Sequence, residues 1–300
     1  MPGKTASGTG GMKIFQANRS PLWKSPPIDA LFSLHFPMKN SSSPVPFLLL
    51  LVSCALPCLA AEKTALPGGD AEWLKSKGTL IFHETFEREE TGTGLKDIGN
   101  GWESATADRV PQIKQADLDG GIMKVASATK EAKHAAHIHH DAGFADGGVL
   151  VRYRFPELKP DQALQLGFVD RELKDVHAGH LCYGRLDPMS GKVMLMDHKT
   201  GGMNLAIQKR LKEYTDKKEP RPADLDALIK SKQIVLPWTG DTEWHDLVLV
   251  TEGDELRLSI DGKPVASHRS EGYAHPMKRW FSFLIPGTVW VEDVKIFKVK

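Results

Sequence analysis

The stretch Glu255-Leu256-Arg257-Leu258-Ser259-Ile260-Asp261-Gly262-Lys263-Pro264-Val265 decides the fold class of this 300-residue chain. Leu256, Leu258 and Ile260 alternate with polar residues, which is the pattern of a strand with one buried face. Asp261-Gly262 then supplies a two-residue turn, because glycine accepts the positive φ that tight hairpins need. The stretch therefore predicts an antiparallel β-hairpin.

The same pattern extends in both directions from this hairpin. Val149, Val151 and Tyr153 alternate with Arg152 and Arg154, as in a strand with one buried face. Short apolar runs of this kind, separated by Gly, Asp and Pro, predict an all-β fold: a two-sheet antiparallel β-sandwich (jelly roll) over residues 79–300. The predicted strands are 79–86, 111–116, 121–127, 134–140, 148–155, 163–169, 178–184, 192–197, 245–251, 255–260, 264–268, 278–284 and 288–298.

Two segments of the chain depart from the strand pattern. Residues 203–232 predict a helical insertion: a basic helix from Met203 to Tyr214, and a second helix that follows Pro222, a residue favoured at helix starts. In a compact sandwich such an insertion is either a lid over a site or padding, and both interpretations stay open. Residues 62–78 form a lead-in segment that could be helical.

The segment 38–61 has the features of a secretory signal peptide. Lys39 precedes an apolar run from Pro46 to Val52, and small residues follow at Ala60-Ala61. The apolar core is too short to span a bilayer comfortably. We expect a secreted or periplasmic protein whose mature chain excludes residues 1–37. The alternative is a lipobox, Leu51-Val52-Ser53-Cys54, with lipid anchoring through Cys54.

The net charge and the cysteine content of the mature chain limit which binding partners and which covalent cross-links we expect. Removal of residues 1–60 leaves 34 basic and 37 acidic residues, a net charge of −3. Nucleic acid is therefore not an expected partner, because phosphate binding needs a basic surface. No later segment predicts a transmembrane helix. Cys182 is the one cysteine of the mature part, so no internal disulfide is expected, and its apolar surroundings predict a small core residue. The sequence leaves the oligomeric state open.

Four stretches resemble the framework of a concanavalin A-like lectin/glucanase sandwich: Leu80–Phe86, Gly101-Trp102, Leu258–Val265 and Val289–Ile296. The resemblance covers roughly 79–300. Within that group the chain is similar to secreted domains of the 3-keto-disaccharide hydrolase type. The resemblance implies a two-sheet jelly roll with a sugar-binding concave face. It marks the framework of the fold rather than its chemistry.

A laminarinase-type mechanism is not expected. Retaining glucanases of this group carry Glu-x-Asp-x-Glu on one strand, which places all three carboxylates on one sheet face. The sequence contains no such pattern; Glu252-Gly253-Asp254-Glu255 comes nearest but falls at a turn.

Histidines are the most conspicuous chemical feature. Eleven of the twelve lie in the mature part, and His134, His137, His139 and His140 fall within seven residues. On a strand over 134–140, His137 and His139 share one face, and His134 and His140 share the other. Two imidazoles at this spacing can bind one metal ion or one anionic group. We predict His137, His139 and His180 as ligands of a divalent metal ion, although no strict metal motif is present and no cofactor is certain.

Two further clusters lie at strand ends, at 170–180 and 197–199. If they meet the histidines at one rim, Asp170, Glu172 or Asp197 would act as the catalytic carboxylate. The predicted substrate-binding residues are polar, cationic or aromatic: His139, Arg152, Arg171, Tyr183, Lys199 and Trp280. Trp280 shares a strand face with Lys278 and Ser282, away from Phe281 and Phe283. The alternative is that the histidines are scattered on exposed faces and only bond to their neighbours.

The sequence thus predicts a carbohydrate-active domain. The first hypothesis is an enzyme that hydrolyses glycosides or 3-keto-disaccharides with a histidine/carboxylate site. The second is a non-catalytic carbohydrate-binding or cell-surface interaction module. The dense His/Asp/Glu set favours the enzyme, and the missing glucanase triad favours the module.

Overall fold

The computed structural model describes residues 69–300, and it confirms the all-β, two-sheet antiparallel sandwich. The predicted signal peptide at 38–61 and the segment 1–37 lie outside the described residues. No helix in the described part of the chain is long and apolar enough to cross a membrane.

Seven strands form one sheet, named here the front sheet. All of its strand pairs are antiparallel. Its order is β10 (Gln233–Pro237), β9 (Lys192–Asp197), β8 (His180–Asp187), β7 (Leu164–Val169), β14 (Lys278–Ile285), β5 (Ala136–Phe144) and β2 (Glu103–Ser104).

Eight strands form the opposite sheet, named here the back sheet. Its order is β13 (Lys263–Arg269), β12 (Glu255–Ile260), β11 (His245–Glu252), β6 (Gly147–Arg154), β15 (Thr288–Lys298), β4 (Ile122–Ala126) and β3 (Ala116–Asp119), with β1 (Thr79–Glu84) also paired to β15.

The main core lies between the two sheets. Ile138, Phe281 and Phe283 from the front sheet pack in one apolar cluster with Leu258 and Val294 from the back sheet. Each of these side chains is fully buried. Cys182 lies in the same cluster, as predicted, and burial raises its thiol pKa to about 12. Because alternate residues of a strand face opposite ways, the residues between these core positions form the outer faces.

The described residues also form four α-helices: α1 (Gly69–Lys77), α2 (Thr129–Ala132), α3 (Leu205–Lys217) and α4 (Ala223–Ser231). α1, the predicted lead-in, packs Leu74 against Val248, Val250 and Phe297 on the outer face of the back sheet. Its acidic first turn and basic last turn suit the helix dipole.

The predicted helical insertion is confirmed as α3 and α4, which connect the neighbouring strands β9 and β10. Asn204 caps α3, because its side-chain oxygen accepts hydrogen bonds from the backbone N–H groups of Ala206 and Ile207. α4 follows Pro222, as the sequence predicts.

Most predicted strands are present, and the deciding hairpin is confirmed: β12 pairs with β13, and Asp261 and Gly262 both have positive φ. The prediction of a strand at 111–116 is wrong. The Ile113 N–H donates to the Val110 carbonyl in a turn, and β3 starts only at Ala116. β2 and β10 were not predicted.

Candidate functional site

The outer face of the front sheet gathers histidine, aromatic and hydroxyl side chains, and we name it the histidine face. Strand register sets Glu103, His139, Ser282, Gly167 and Tyr183 side by side on β2, β5, β14, β7 and β8. His137 shares this face with His139, as predicted from their spacing. Residues from five strands therefore meet although they are far apart in the sequence.

A glycine creates the space for the centre of this face. A Cβ at Gly167 would lie 2.8 Å from Cδ1 of Tyr183, so the Tyr183 ring can lie across β7 only because residue 167 has no side chain. The Tyr183 hydroxyl is hydrogen-bonded to Ser282 Oγ at 2.9 Å and to His180 Nδ1 at 2.7 Å. Tyr183 and Ser282 thereby form a fully buried floor.

Imidazoles cluster beside this floor. The His137 ring centroid lies 5.6 Å from that of His139, 5.8 Å from His180 and 6.3 Å from His134. His180 in turn lies 6.3 Å from His198. The prediction that His134 lies on the opposite face is wrong, because β5 starts at Ala136 and the chain before it turns at Lys133 with positive φ.

Burial keeps these imidazoles neutral. It lowers the pKa of His137 to about 3, helped by the charges of neighbouring His139 and His134, and the pKa of His198 to about 4. The pKa of His180 is lowered well below its ordinary value, again mainly by burial. His137 Nε2 and His198 Nδ1 are buried and have no hydrogen-bond partner.

His139 connects the cluster to charged groups. Its Nε2 lies 3.2 Å from Glu103 Oε2, and its Nδ1 lies 3.5 Å from a guanidinium nitrogen of Arg171. Burial and the Arg171 charge lower the pKa of His139, although Glu103 acts in the opposite direction. A neutral ring with its proton on Nε2 fits both contacts, since the N–H then donates to Glu103.

Arg171 and Trp280 form the solvent side of the face. The Arg171 guanidinium lies over the Trp280 ring at 5.1 Å from its centroid, and His139 meets the same ring edge-on at 6.1 Å. Arg171 is exposed and makes no ion pair within the described residues. Trp280 is half-buried and lies on the polar side of β14, as predicted. The face thus presents an aromatic ring and an unneutralised cation.

Two predicted catalytic carboxylates anchor the loop beside the face. Asp170 is buried and accepts hydrogen bonds from His275 Nε2 and Arg279 Nε, each at 3.0 Å. Burial alone would raise the Asp170 pKa, but the His275 and Glu172 N–H hydrogen bonds and the Arg279 charge lower it below its ordinary value. Glu172 is exposed and bonds to Arg279. Both carboxylates are occupied by partners that hold the loop.

The third predicted carboxylate, Asp197, does not join this face. It is buried and accepts hydrogen bonds from Thr200, from the Ser270 hydroxyl and from the Gly272 N–H. A Cβ on Gly272 would lie 2.0 Å from Asp197 Oδ1, so the contact needs glycine. Asp197 pairs in register with the core residue Cys182, and alternation therefore turns it inward.

Of the other predicted substrate-binding cations, Arg152 lies on the opposite sheet and Lys199 directly follows His198, whose ring contacts His180 and Tyr183. Arg152 is on the outer face of the back sheet, where it bonds to Glu292 and Asp246. Lys199 lies in the loop after β9, and its backbone N–H donates to the Leu181 carbonyl. The predicted rim therefore converges only in part: His137, His139, Arg171, His180, Tyr183 and Trp280 come together.

No group of three or more His, Cys, Asp or Glu side chains in the described part of the chain is arranged to hold a metal ion. The predicted trio His137, His139 and His180 is close, but His180 Nδ1 is bonded to Tyr183 and His139 Nε2 to Glu103. A divalent metal at this trio stays a prediction.

A cavity of about 420 Å³ adjoins the face. The loop after β7 and the start of α3 form its wall, and Arg171 and His177 belong to both the cavity and the surroundings of the face. Ala178 adopts a positive φ of 50° where this loop turns, and Gly179 next to it packs against the Asp170 carbonyl. The lining is Arg171, Leu173, Lys174, Val176, His177, Ala178, Gly179 and Leu205.

Sequence reasoning missed Glu103, Ser282 and His177 as members of this region. Glu103 directly follows Gly101-Trp102, which marked the framework, but β2 is only two residues long and gives no periodic signal. Ser282 shares the polar side of β14 with Trp280, so alternation could have identified it.

No protein-family model matches the sequence, and no curated protein sequence matches it. Several solved structures have a similar fold. The carbohydrate-binding module CBM66 from Bacillus subtilis is 12% identical, with a TM-score of 0.41 over 65% of this chain and 93% of that chain. The laminarinase from Rhodothermus marinus is 11% identical, with a TM-score of 0.48 over 74% and 97%. The laminarinase catalytic domain from Thermotoga maritima is 10% identical, with a TM-score of 0.45 over 74% and 98%. These identities are too low to transfer residues or activities to this chain.

Proposed function

We propose that this chain is a carbohydrate-active domain that binds a saccharide on the histidine face. One observation carries the proposal: Trp280 offers a half-buried ring at the surface, next to the unpaired cation Arg171 and the His139–Glu103 pair. Sugars present apolar C–H surfaces and hydroxyl groups together. An aromatic ring beside polar groups suits both of these features.

The substitution Trp280→Ala tests the proposal. We expect it to weaken saccharide affinity at least about tenfold in calorimetric titration, because it removes the ring that the sugar would cover. Trp290→Ala is the matched control. Trp290 is also half-buried and lies under an arginine, Arg154, at 5.1 Å, but it is on the back sheet. Equal affinities of the Trp280→Ala and unaltered proteins would refute the role of Trp280.

A second candidate function is cleavage of 3-keto-disaccharides or other glycosides at the same face. The pair His139–Glu103 favours it, since a neutral imidazole held by a carboxylate is suited to removing a proton. Arg171, 3.5 Å from the ring, would stabilise the negative charge that develops when the proton next to a ketone is removed. Glu103, the partner of His139, takes the place of Asp170, Glu172 and Asp197 as the candidate carboxylate of the site.

Glu103→Gln tests this chemistry. We expect kcat for release of the leaving sugar from a 3-keto-disaccharide to fall about a hundredfold, because the imidazole loses its carboxylate partner. Glu213→Gln on α3 makes the same charge change on an exposed surface and serves as the control. Unchanged kcat in Glu103→Gln would refute the role of Glu103, and no turnover by the unaltered protein would leave saccharide binding alone as the function.

Export belongs to the proposal as well. Its support is the sequence of 38–61, with Lys39, the apolar run and the small residues Ala60-Ala61. A secreted or periplasmic site gives a carbohydrate-active domain access to external glycans. Anchoring through Cys54 is the alternative form of the same proposal.

A further inference from the structure

The ionised side chains that line the cavity next to the histidine face carry positive charge only. Two of its lining residues are cationic, Arg171 and Lys174, and the imidazole of His177 lies beside them. No carboxylate lines the cavity. Of the acidic residues of the same loop, Asp170 and Glu172 are bonded to Arg279, and Asp175 is exposed but is not part of the lining. A ligand that enters this cavity therefore meets positive charge with no competing negative charge from the wall.

The cations of the cavity are available for a ligand. Arg171 contacts the Trp280 ring and His139, and Lys174 donates to the Arg171 carbonyl. Neither makes an ion pair within residues 69–300 as described, and both are exposed. Most other arginines of the sandwich are paired, as Arg257 is with Asp70 and Arg279 with Asp170. Apart from the Arg171 nitrogen that contacts His139, the guanidinium keeps N–H donors free for a planar anion.

The apolar part of the lining limits the kind of anion. Leu173, Val176 and Leu205 lie between the charged groups, and Leu205 is 42% exposed. Such a wall suits the C–H surface of a sugar ring more than a small, fully hydrated ion. The cavity volume of about 420 Å³ is in the range of small-molecule sites, which start at roughly 300 Å³.

We propose that the cavity is an anion-recognising subsite and that the saccharide bound by this protein carries carboxylates, as uronic acid oligosaccharides do. The inference rests on the proposed function, because it names the substrate class of the same face. One uronate carboxylate binds Arg171 and Lys174 in the cavity, while the neighbouring sugar lies against Trp280. Arg171 belongs to both places and sets the register of the chain of sugars.

The test compares charged and uncharged forms of one sugar. Tetramers of galacturonate, glucuronate and mannuronate are titrated calorimetrically against the full chain, each next to its methyl ester, which keeps the ring and removes the charge. We expect at least one acid to bind about tenfold more tightly than its ester. We also expect its affinity to fall as NaCl is raised from 50 to 500 mM, because salt screens the interaction.

Charge-removing variants locate the subsite. Arg171→Gln should reduce affinity for the acid about tenfold and for a neutral tetramer far less, and Lys174→Gln should reduce the former about threefold. Lys263→Gln is the matched control: Lys263 is exposed, makes no ion pair among the described residues and lies at the turn between β12 and β13 of the back sheet. It should bind as the unaltered protein does.

The possible results distinguish a failure of the anion subsite from a failure of saccharide binding itself. Equal binding of every acid and its ester, or an Arg171→Gln protein that binds the acid normally, overturns the subsite while saccharide binding stands. If neither acidic nor neutral saccharides bind the unaltered protein, both the subsite and the proposed function fail.

Discussion

Each outer face of the sandwich places an arginine without an ion pair among the described residues over indole rings, but the two faces differ in the other groups around it. On the back sheet, Arg154 lies over two indoles, Trp244 and Trp290, and Arg152 bonds to Glu292 and Asp246. On the front sheet, Arg171 lies over one indole and has no ion-pair partner among the described residues. The imidazoles near it are buried and partly unpaired. Paired charges and helix packing stabilise a face, whereas unpaired groups are available to a ligand. The contrast supports the histidine face as the binding face that we propose.

The largest expected effect is on the back face. Leu74→Ala should lower the free energy of unfolding by about 2–5 kcal/mol, because Leu74 is fully buried between α1 and Val248, Val250 and Phe297. Urea denaturation measures this loss. Saccharide affinity at a temperature where the variant is folded should not change. A Leu74→Ala protein with normal stability but weakened binding would reverse the roles assigned to the two faces.

The histidine face should make stability depend on pH. The pKa values of His137, His180 and His198 are lowered in the folded state, so below about pH 6.5 the unfolded chain binds more protons than the folded one. Stability should therefore fall as pH drops from 6.5 towards 4, by roughly 1–2 kcal/mol for each histidine at pH 5. Urea titrations at pH 7.5, 6.0 and 5.0 measure the slope.

A histidine on β11 of the back sheet supplies the control for this slope. The pKa of His245 is raised: burial lowers it, but the hydrogen bonds and charges of Asp261 and Asp241 prevail. The stability from His245 is present at low pH and is lost as pH rises through its folded pKa. His245→Gln should therefore steepen the acid loss, and His198→Gln should flatten it. Identical slopes in both variants would contradict the opposite pKa shifts assigned to His198 and His245.

The smallest expected effect concerns the two arginines. Arg152→Gln should change stability by less than about 1 kcal/mol, because its side chain is 40% exposed and surface ion pairs contribute little. Arg171→Gln should also be nearly neutral for stability, since it breaks no ion pair. Only Arg171→Gln should change saccharide binding. A binding defect in Arg152→Gln would restore the role that the sequence suggested for Arg152.

The sequence predicts those features of the fold that depend on the alternation of residues along a single strand. The β12–β13 hairpin, the bounds of β15 and the shared face of His137 and His139 all follow from alternation. The composition of the site could be predicted only in part, because cross-strand neighbours depend on the strand order. Ser282 meets Tyr183 only because β14, β7 and β8 are adjacent and residue 167 is glycine.

Single backbone positions account for other differences between the predicted and the observed site. The left-handed turn at Lys133 brings His134 to the side of His137. Asp197 occupies an inward position at a strand end and binds the Ser270–Gly272 segment, which lies over 70 residues away in the sequence. No local pattern distinguishes such a carboxylate from one that faces solvent.

The insertion between β9 and β10 supplies part of the cavity wall. The two strands are antiparallel neighbours, with Gln233 in register with Met196, so a short hairpin turn could join them. The chain instead runs through residues 198–232, and one residue of this excursion, Leu205, forms part of the cavity wall. We therefore expect substitutions in this segment to alter the ligand preference proposed for the cavity.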